Sequence, residues 1–144
     1  MANNTLSISL TVPAPVDSVW KKIADWQSQG EWMLQTKVWV TSQESEGVGT
    51  SIAAFTGIGK LGIMDHMTVT SWEPPTVCDV LHTGKIIKGT GRFQLSALTP
   101  QSTRFDWSED ILAPRALFLL IAPGLYIGVR ISLSALRRQL QQRK

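Results

Sequence analysis

Residues 114–144 read PRALFLLIAPGLYIGVRISLSALRRQLQQRK, the one long helical pattern in the chain. From Leu125 the apolar residues recur at Val129, Leu133, Leu136 and Leu140. Steps of three and four place them on one face of a helix. Pro123 removes an amide donor and predicts a kink, or a new helix start, at that point. Gly124 and Gly128 thin the helix where a sheet or a ligand would approach, and the Tyr126 hydroxyl between them is a candidate ligand contact. The segments upstream read mostly as strands with one face to bury. This helix is what they would close around, leaving a lined cavity between.

Working back from the helix, the strand patterns are Thr103–Leu112, Ile86–Leu98, Val77–Thr83, Leu61–Trp72, Thr50–Phe55 and Lys37–Gln43. Short turns join them, at Gly84, at Pro74-Pro75, through Gly57 and Gly59, and at Glu44–Gly49. Such turns favour antiparallel neighbours. Before these strands, Gly30 separates two short helical patterns. One covers residues 16–26, capped by Asp17 or a neighbour, with Val16, Val19, Trp20 and Ile23 on one face. The other is Glu31–Leu34. The chain opens on a half-buried strand in which Leu6, Ile8, Leu10 and Val12 alternate with polar residues. The order is strand, two short helices, six strands and a long helix, an α+β class.

Composition bounds the rest. At 144 residues, 43% apolar and 17% charged, the chain is globular and fits one domain, 1–144. A single cysteine, Cys78, excludes an internal disulfide and reads as a small buried hydrophobe. The first residues, MANNTLSISLTVP, have no basic region followed by an apolar core, so no signal peptide is expected. The apolar run Ala116–Val129 is too short to span a bilayer and contains Pro123, so no transmembrane segment is expected and a cytoplasmic location is.

The net charge of +3 is uneven. Residues 130–144 hold five positives and no acid, while the remaining nine positives meet eleven acids. Positives at a helix C-terminus favour its dipole and leave weak contact with an anionic membrane surface open. They do not form the basic stripe of a nucleic-acid binder, so no nucleic-acid partner is expected.

Several stretches together carry a resemblance: VPAPVDSVWKKIADW, GEWM, GVGT, DHMTVTSWEPPT, HTGKIIKGTGRF, TRFDWSED and SLSALRRQL. In this order and spacing the chain resembles the START-like helix-grip superfamily, also called SRPBCC, in its polyketide cyclase/dehydrase and lipid-transport branch. The resemblance spans nearly the whole chain. It implies a seven-stranded antiparallel sheet curved around the C-terminal helix, two short helices after the first strand, and a deep apolar cavity. It implies small hydrophobic ligands such as lipids or polyketides. Some members of the family only bind, and others cyclise or dehydrate a bound chain.

Strand parity names the candidate residues. In the last strand Phe105, Trp107, Glu109 and Ile111 share the face that should meet the helix, which turns Glu109 inward. An inward carboxylate is either a hydrated rim residue or a ligand anchor or general acid/base. Ile63, Asp65, Met67 and Val69 share a face in the same way, so Asp65 also points in and His66 out. His82 is ambiguous, because Val80 and Leu81 are adjacent and both apolar. If Cys78, Val80 and His82 face in, His82 joins the acids, as hydrogen-bonded structure or as a proton shuttle. Ile87, Gly89, Gly91, Phe93, Leu95 and Ala97 share a face, where the glycines would bend the sheet or leave room for a ligand.

Six tryptophans serve mainly the core, with Trp107 a candidate cavity wall and Trp26, Trp32 and Met33 a candidate apolar gate at the mouth. The two histidines lie in separate strands with no second ligand pair at a useful spacing, so neither a metal nor a cofactor is expected.

Two functions centre on the cavity, and a third reading is an interaction module in which the basic end of the last helix touches anionic lipid or a partner and the cavity is small or closed. The first is binding, or transport, of a small hydrophobic molecule between sheet and helix, with Asp65, His82 or Glu109 supplying the polar contacts. The second is a polyketide cyclase, aromatase or dehydratase moving protons with the same three residues. One isolated acid in the pocket favours the first; a matched set of acid and base favours the second. The oligomeric state, monomer or homodimer, stays open.

Overall fold

In this computed structural model, which describes residues 2–84, 88–113 and 115–141, seven strands form one antiparallel sheet among the described residues. They are β1 (Ala2–Val12), β2 (Thr36–Val40), β3 (Ser51–Ile58), β4 (Leu61–Glu73), β5 (Val77–Thr83), β6 (Lys88–Thr99) and β7 (Ser102–Ala113). The spatial order is β1-β7-β6-β5-β4-β3-β2. From β2 to β7 each strand lies beside its neighbour in the chain. β1 and β2 occupy opposite edges, so the chain between them must cross the width of the sheet. A helix α1 (Val16–Ile23) and a 3-10 turn (Trp26–Glu31) make that crossing. The long helix α2 (Arg115–Gln141) follows β7. This is the α+β helix-grip architecture: a curled seven-stranded antiparallel sheet with a long C-terminal helix.

The core sits where α2 and α1 meet the sheet. Leu133, Leu136 and Leu140 of α2 are buried with Val12, Ile52, Val69, Leu95 and Phe105 of the strands. Burying an aliphatic or aromatic side chain of this kind stabilises by roughly 1.5–3 kcal/mol. Val129 packs against the same cluster, as its place in the periodic series predicts. The Leu125 side chain and Ile87 lie outside the described residues, as do Pro114 and residues 142–144 at the expected ends of the last helix. No helix among the described residues is long and apolar enough to cross a membrane.

Several element boundaries differ from the sequence expectation. The first helix ends at Ile23 rather than residue 26, and the second helical segment is Trp26–Glu31 rather than Glu31–Leu34. The Gln29 side-chain amide donates to the Ile23 carbonyl at 2.8 Å and ties the 3-10 turn to the end of α1. Gly30 lies inside that turn and does not break it. Its role is close approach, since a Cβ there would stand 3.0 Å from the Thr36 carbonyl oxygen.

The N-cap of α1 is Pro15, with no side-chain cap bond. Asp17 instead occupies the first turn, where its charge favours the helix dipole. β1 begins at Ala2 rather than Leu6, since its ladder with β7 runs from Ala2 opposite Ala113, and the fully buried Asn4 donates from Nδ2 to the Ile111 carbonyl. β2 stops at Val40 instead of Gln43, and β3 runs on to Ile58, opposite Leu61, leaving a two-residue turn where a longer link was expected. α2 passes through Pro123 as one helix, so no new helix starts there. Ala97, expected on the inner face of β6, is exposed next to a register shift between Ala97 and Thr99.

Candidate functional site

The four central strands bring the three candidate titratable residues together. In β5, Cys78, Val80 and His82 face the concave side, while Leu81 is 43% exposed. In β4, Asp65 and Met67 face the same side, and in β7 so do Trp107 and Glu109. His82 Nδ1 lies 2.8 Å from Asp65 Oδ1, and His82 Nε2 lies 2.8 Å from Glu109 Oε2. The Trp107 indole N–H donates to the other carboxylate oxygen, Glu109 Oε1, at 3.0 Å.

His82 and Glu109 are not on neighbouring strands, because β6 runs between them. Adjacent strands are about 4.8 Å apart, so the two side chains must reach across a whole strand to meet. They can do so only where that strand lends no bulk. Gly89 stands opposite His82 and Gly91 opposite Glu109. A Cβ on Gly91 would lie 2.8 Å from Glu109 Oε2 and 3.0 Å from Oε1. The space expected for a ligand at Gly91 is therefore filled by the Glu109 carboxylate. Gly89 has φ +124°, and a Cβ there would collide with the Asp110 carbonyl oxygen.

Burial sets the electrostatics. The His82 side chain is 5% exposed, and those of Asp65 and Glu109 are 18% and 17% exposed. Burial by itself lowers the pKa of His82. The hydrogen bonds to Asp65 and Glu109, and then the charge on both carboxylates, outweigh it and push the pKa up to about 10. At neutral pH His82 is an imidazolium donating through both nitrogens, and such charge-assisted bonds are the strong ones. Burial, with the charge of Asp79 adding to it, pushes the nearby Cys78 thiol up to about 12.

The cluster forms the polar end of a cavity of about 210 Å³. Of the residues singled out in the sequence, Trp26, Met33, Asp65, Met67, His82, Phe93, Trp107 and Glu109 line it. Phe93 and Trp107 pack edge to face at 5.0 Å. Trp32 is buried behind this wall, edge to face with Trp107 at 6.4 Å. Tyr126 is not brought to the cavity. It is 40% exposed, with the Arg130 guanidinium 6.0 Å from its ring. The described buried positions of α2, Ser132, Leu133, Leu136 and Leu140, all lie in its C-terminal half. Tyr126 is two turns before Leu133, where Ile127 and Ile131 are also exposed. The described lining comes from the strands, the 3-10 turn and Met33 just after that turn, and not from the described residues of α2.

The lining also includes residues that parity alone did not mark as ligand contacts. Ile63 shares its face with Asp65, and Val80 shares one with His82, so both were legible. Thr36 and Thr56 were not; they join β2 to β3 through a hydroxyl pair 2.9 Å apart. Larger and more open depressions lie near His66, about 550 Å³, and near Lys21, about 820 Å³, and a third of about 480 Å³ touches His82 beside Thr83 and Gly89. Among the described residues, no group of three or more His, Cys, Asp or Glu side chains is arranged to hold a metal ion. Both His82 nitrogens are already engaged by carboxylates.

With this geometry in hand, the chain can be compared with known proteins. Its fold is similar to that of the ZhuI aromatase/cyclase from Streptomyces sp. R1128 (TM-score 0.82, 16% identity, covering 99% of this chain and 96% of that one). It is similar to a START superfamily protein from Mycobacterium smegmatis (TM-score 0.79, 14% identity, 96% and 99% covered). It is also similar to norcoclaurine synthase from Thalictrum flavum, a point mutant in complex with a transition-state analogue (TM-score 0.74, 11% identity, 99% and 96% covered). At these identities the likeness speaks for the fold alone. No curated protein sequence matches the chain. The family model described as polyketide cyclase / dehydrase and lipid transport matches residues 4–141, and the chain belongs to that family.

Proposed function

We propose that residues 1–144 act as one START-like domain that takes a small hydrophobic molecule into the cavity and moves protons on it, as a cyclase, aromatase or dehydratase does. The observation that carries this reading is His82, hydrogen-bonded at 2.8 Å to Asp65 on one side and to Glu109 on the other. A pocket built only to bind needs a few separately oriented polar groups, not an acid, a base and a second acid linked by hydrogen bonds. The aromatase/cyclase with the same fold supports the reading by analogy.

The roles follow from which atoms remain available. Both nitrogens of His82 are occupied, so His82 positions and charge-balances the carboxylates and does not itself touch the ligand. Asp65 bonds His82 through Oδ1, and its carboxylate, partly exposed, serves as the general base. For a β-hydroxy ketone, the carboxylate takes the proton α to the carbonyl. The same proton then returns to the departing hydroxyl, which leaves as water, and an enone remains. Trp107, Phe93, Met33 and Met67 hold the carbon skeleton and exclude water.

The test is conversion of a short β-hydroxy ketone or poly-β-ketone, followed by mass spectrometry. Activity should be lost in His82→Ala and Glu109→Gln while the folded circular-dichroism spectrum is kept. Undiminished turnover in a folded His82→Ala protein would overturn the acid–base reading. If the wild type turns over neither substrate and native mass spectrometry finds a bound lipid, the function is binding or transport.

A further inference from the structure

We infer that the cavity selects ligands that present a hydrogen-bond donor, most strongly an ammonium group, to Asp65 and Glu109, and rejects those that present a carboxylate. The inference rests on reading this cavity as the ligand site, but not on any chemistry taking place there.

Both N–H groups of His82 point to carboxylates at 2.8 Å, and the indole N–H of Trp107 goes to Glu109 at 3.0 Å. Gln29 donates one of its two Nε2 hydrogens to the Ile23 carbonyl. The Thr36 hydroxyl donates to the Leu34 carbonyl, which leaves Thr56 donating to Thr36. The Arg92 guanidinium is held by Asp79 at 2.7 and 2.9 Å. Among the described lining residues the indole N–H of Trp26 has no partner, and it is sealed from solvent. What reaches the cavity at its polar end is therefore carboxylate oxygen, from side chains 18% and 17% exposed. A ligand carboxylate placed there would face these acceptors, whereas an ammonium or hydroxyl group would donate to them.

Two carboxylates and one imidazolium leave the cluster at −1, and loss of the His82 proton would only make it more negative. In an apolar enclosure such a charge is weakly screened, so its sign governs which ions enter. The cavity volume of about 210 Å³ falls below the range of drug-sized pockets, roughly 300–1,000 Å³. With Phe93 and Trp107 as walls, the ligand class is a one- or two-ring aromatic or alicyclic compound carrying an amine or hydroxyl group.

Four probes of one skeleton test this at pH 7: 2-phenylethylamine, 2-phenylethanol, ethylbenzene and phenylacetate. Calorimetry gives their affinities, and the Trp107 indole N–H resonance shows whether each enters the polar end. The amine and the acid both lose an ionic hydration shell on entry, so their ratio reads the sign of the site. The amine should bind at least about tenfold tighter than phenylacetate, and the alcohol tighter than ethylbenzene, since hydrogen bonds to charged groups are the stronger class. The amine preference should vanish in Asp65→Asn/Glu109→Gln; if that variant does not fold, the wild-type ratio still decides. Phenylacetate binding as tightly as the amine, or an amine that leaves the Trp107 resonance unmoved, overturns the inference. Binding of ethylbenzene in either case leaves the cavity itself standing as a ligand site. If none of the four binds, the cavity reading falls and this inference with it.

Discussion

His82 bonds to Asp65 at 2.8 Å although the two are not cross-strand partners: in the ladder His82 stands opposite Met67, two residues further along β4. The imidazole therefore leans along the strand toward the carboxylate. It leaves Met67 as a wall beside it rather than a partner beneath it. A residue that leans this way on one side and spans β6 on the other is held by both carboxylates, and its protonation is coupled to folding.

That coupling has a direction in pH. His82 is pushed from 6.5 up to about 10 in the folded protein. Between those values the folded state holds a proton that the unfolded chain has released. The stability from this group is complete below pH 6.5 and is lost as pH rises through 10. Urea unfolding at pH 6, 8 and 10 should show a progressive loss of several kcal/mol, at 1.36 kcal/mol for each pKa unit. His82→Gln, less stable at pH 6, should show a much flatter profile over the same range. A wild-type stability that rises from pH 6 to pH 10 would contradict the assignment.

Gly91 and Gly89 should respond differently to alanine. At residue 91 the new methyl group meets the end of the Glu109 side chain, which can swing aside. Gly91→Ala should cost about 1.5–3 kcal/mol of stability, since a displaced Glu109 gives up its bonds to His82 and Trp107, and should weaken turnover or ligand affinity at least about tenfold. At residue 89 the methyl group meets backbone, at a φ that L residues rarely adopt. Gly89→Ala should cost about 3 kcal/mol or more. Thermal melts of the two variants side by side check the order.

Trp107→Phe keeps the aromatic wall and removes the donor at Glu109 Oε1. A hydrogen bond to a charged group contributes about 1.5–3 kcal/mol. The variant should melt earlier by that order of free energy and lose turnover, while apolar probes such as ethylbenzene bind nearly as before. Equal losses for apolar and donor-bearing probes would point to a packing role alone.

Cys78 should be silent in the native state. It is buried and its thiol is pushed up to about 12, so almost no thiolate forms at pH 8. Iodoacetamide should label it only after denaturant is added, as intact-mass measurement will show. Rapid labelling of the folded protein would mean that β5 opens.

Much of this site is visible in strand alternation, and the part that is not has identifiable causes. Glu109 and Asp65 each sit in a long run with clean parity, so their inward direction follows from neighbours such as Trp107 and Met67. His82 does not, because Val80 and Leu81 offer the core two adjacent apolar choices, and only the ladder shows Leu81 facing out. Convergence itself is a property of register: no local pattern reveals that β5 and β7 are separated by one strand with glycines at the crossing point. Local rules fail outright at two places. A register shift between Val69 and Ser71 returns Trp72 to the core side, edge to face with Trp20, where strict alternation from Asp65 would have placed Ser71. Tyr126 keeps the helical phase of Leu133 but is 40% exposed, as its described neighbours Ile127 and Ile131 are also exposed.

The hydrogen atom that stands in for a side chain at Gly91 gives the cluster a simple hereditary signature. A homologue with alanine or anything bulkier at the matching position has no room for an acid held as Glu109 is held, even if its aspartate, histidine and glutamate are all in place. Reading that single position across relatives should separate those able to assemble this proton-sharing trio from those that merely carry its letters.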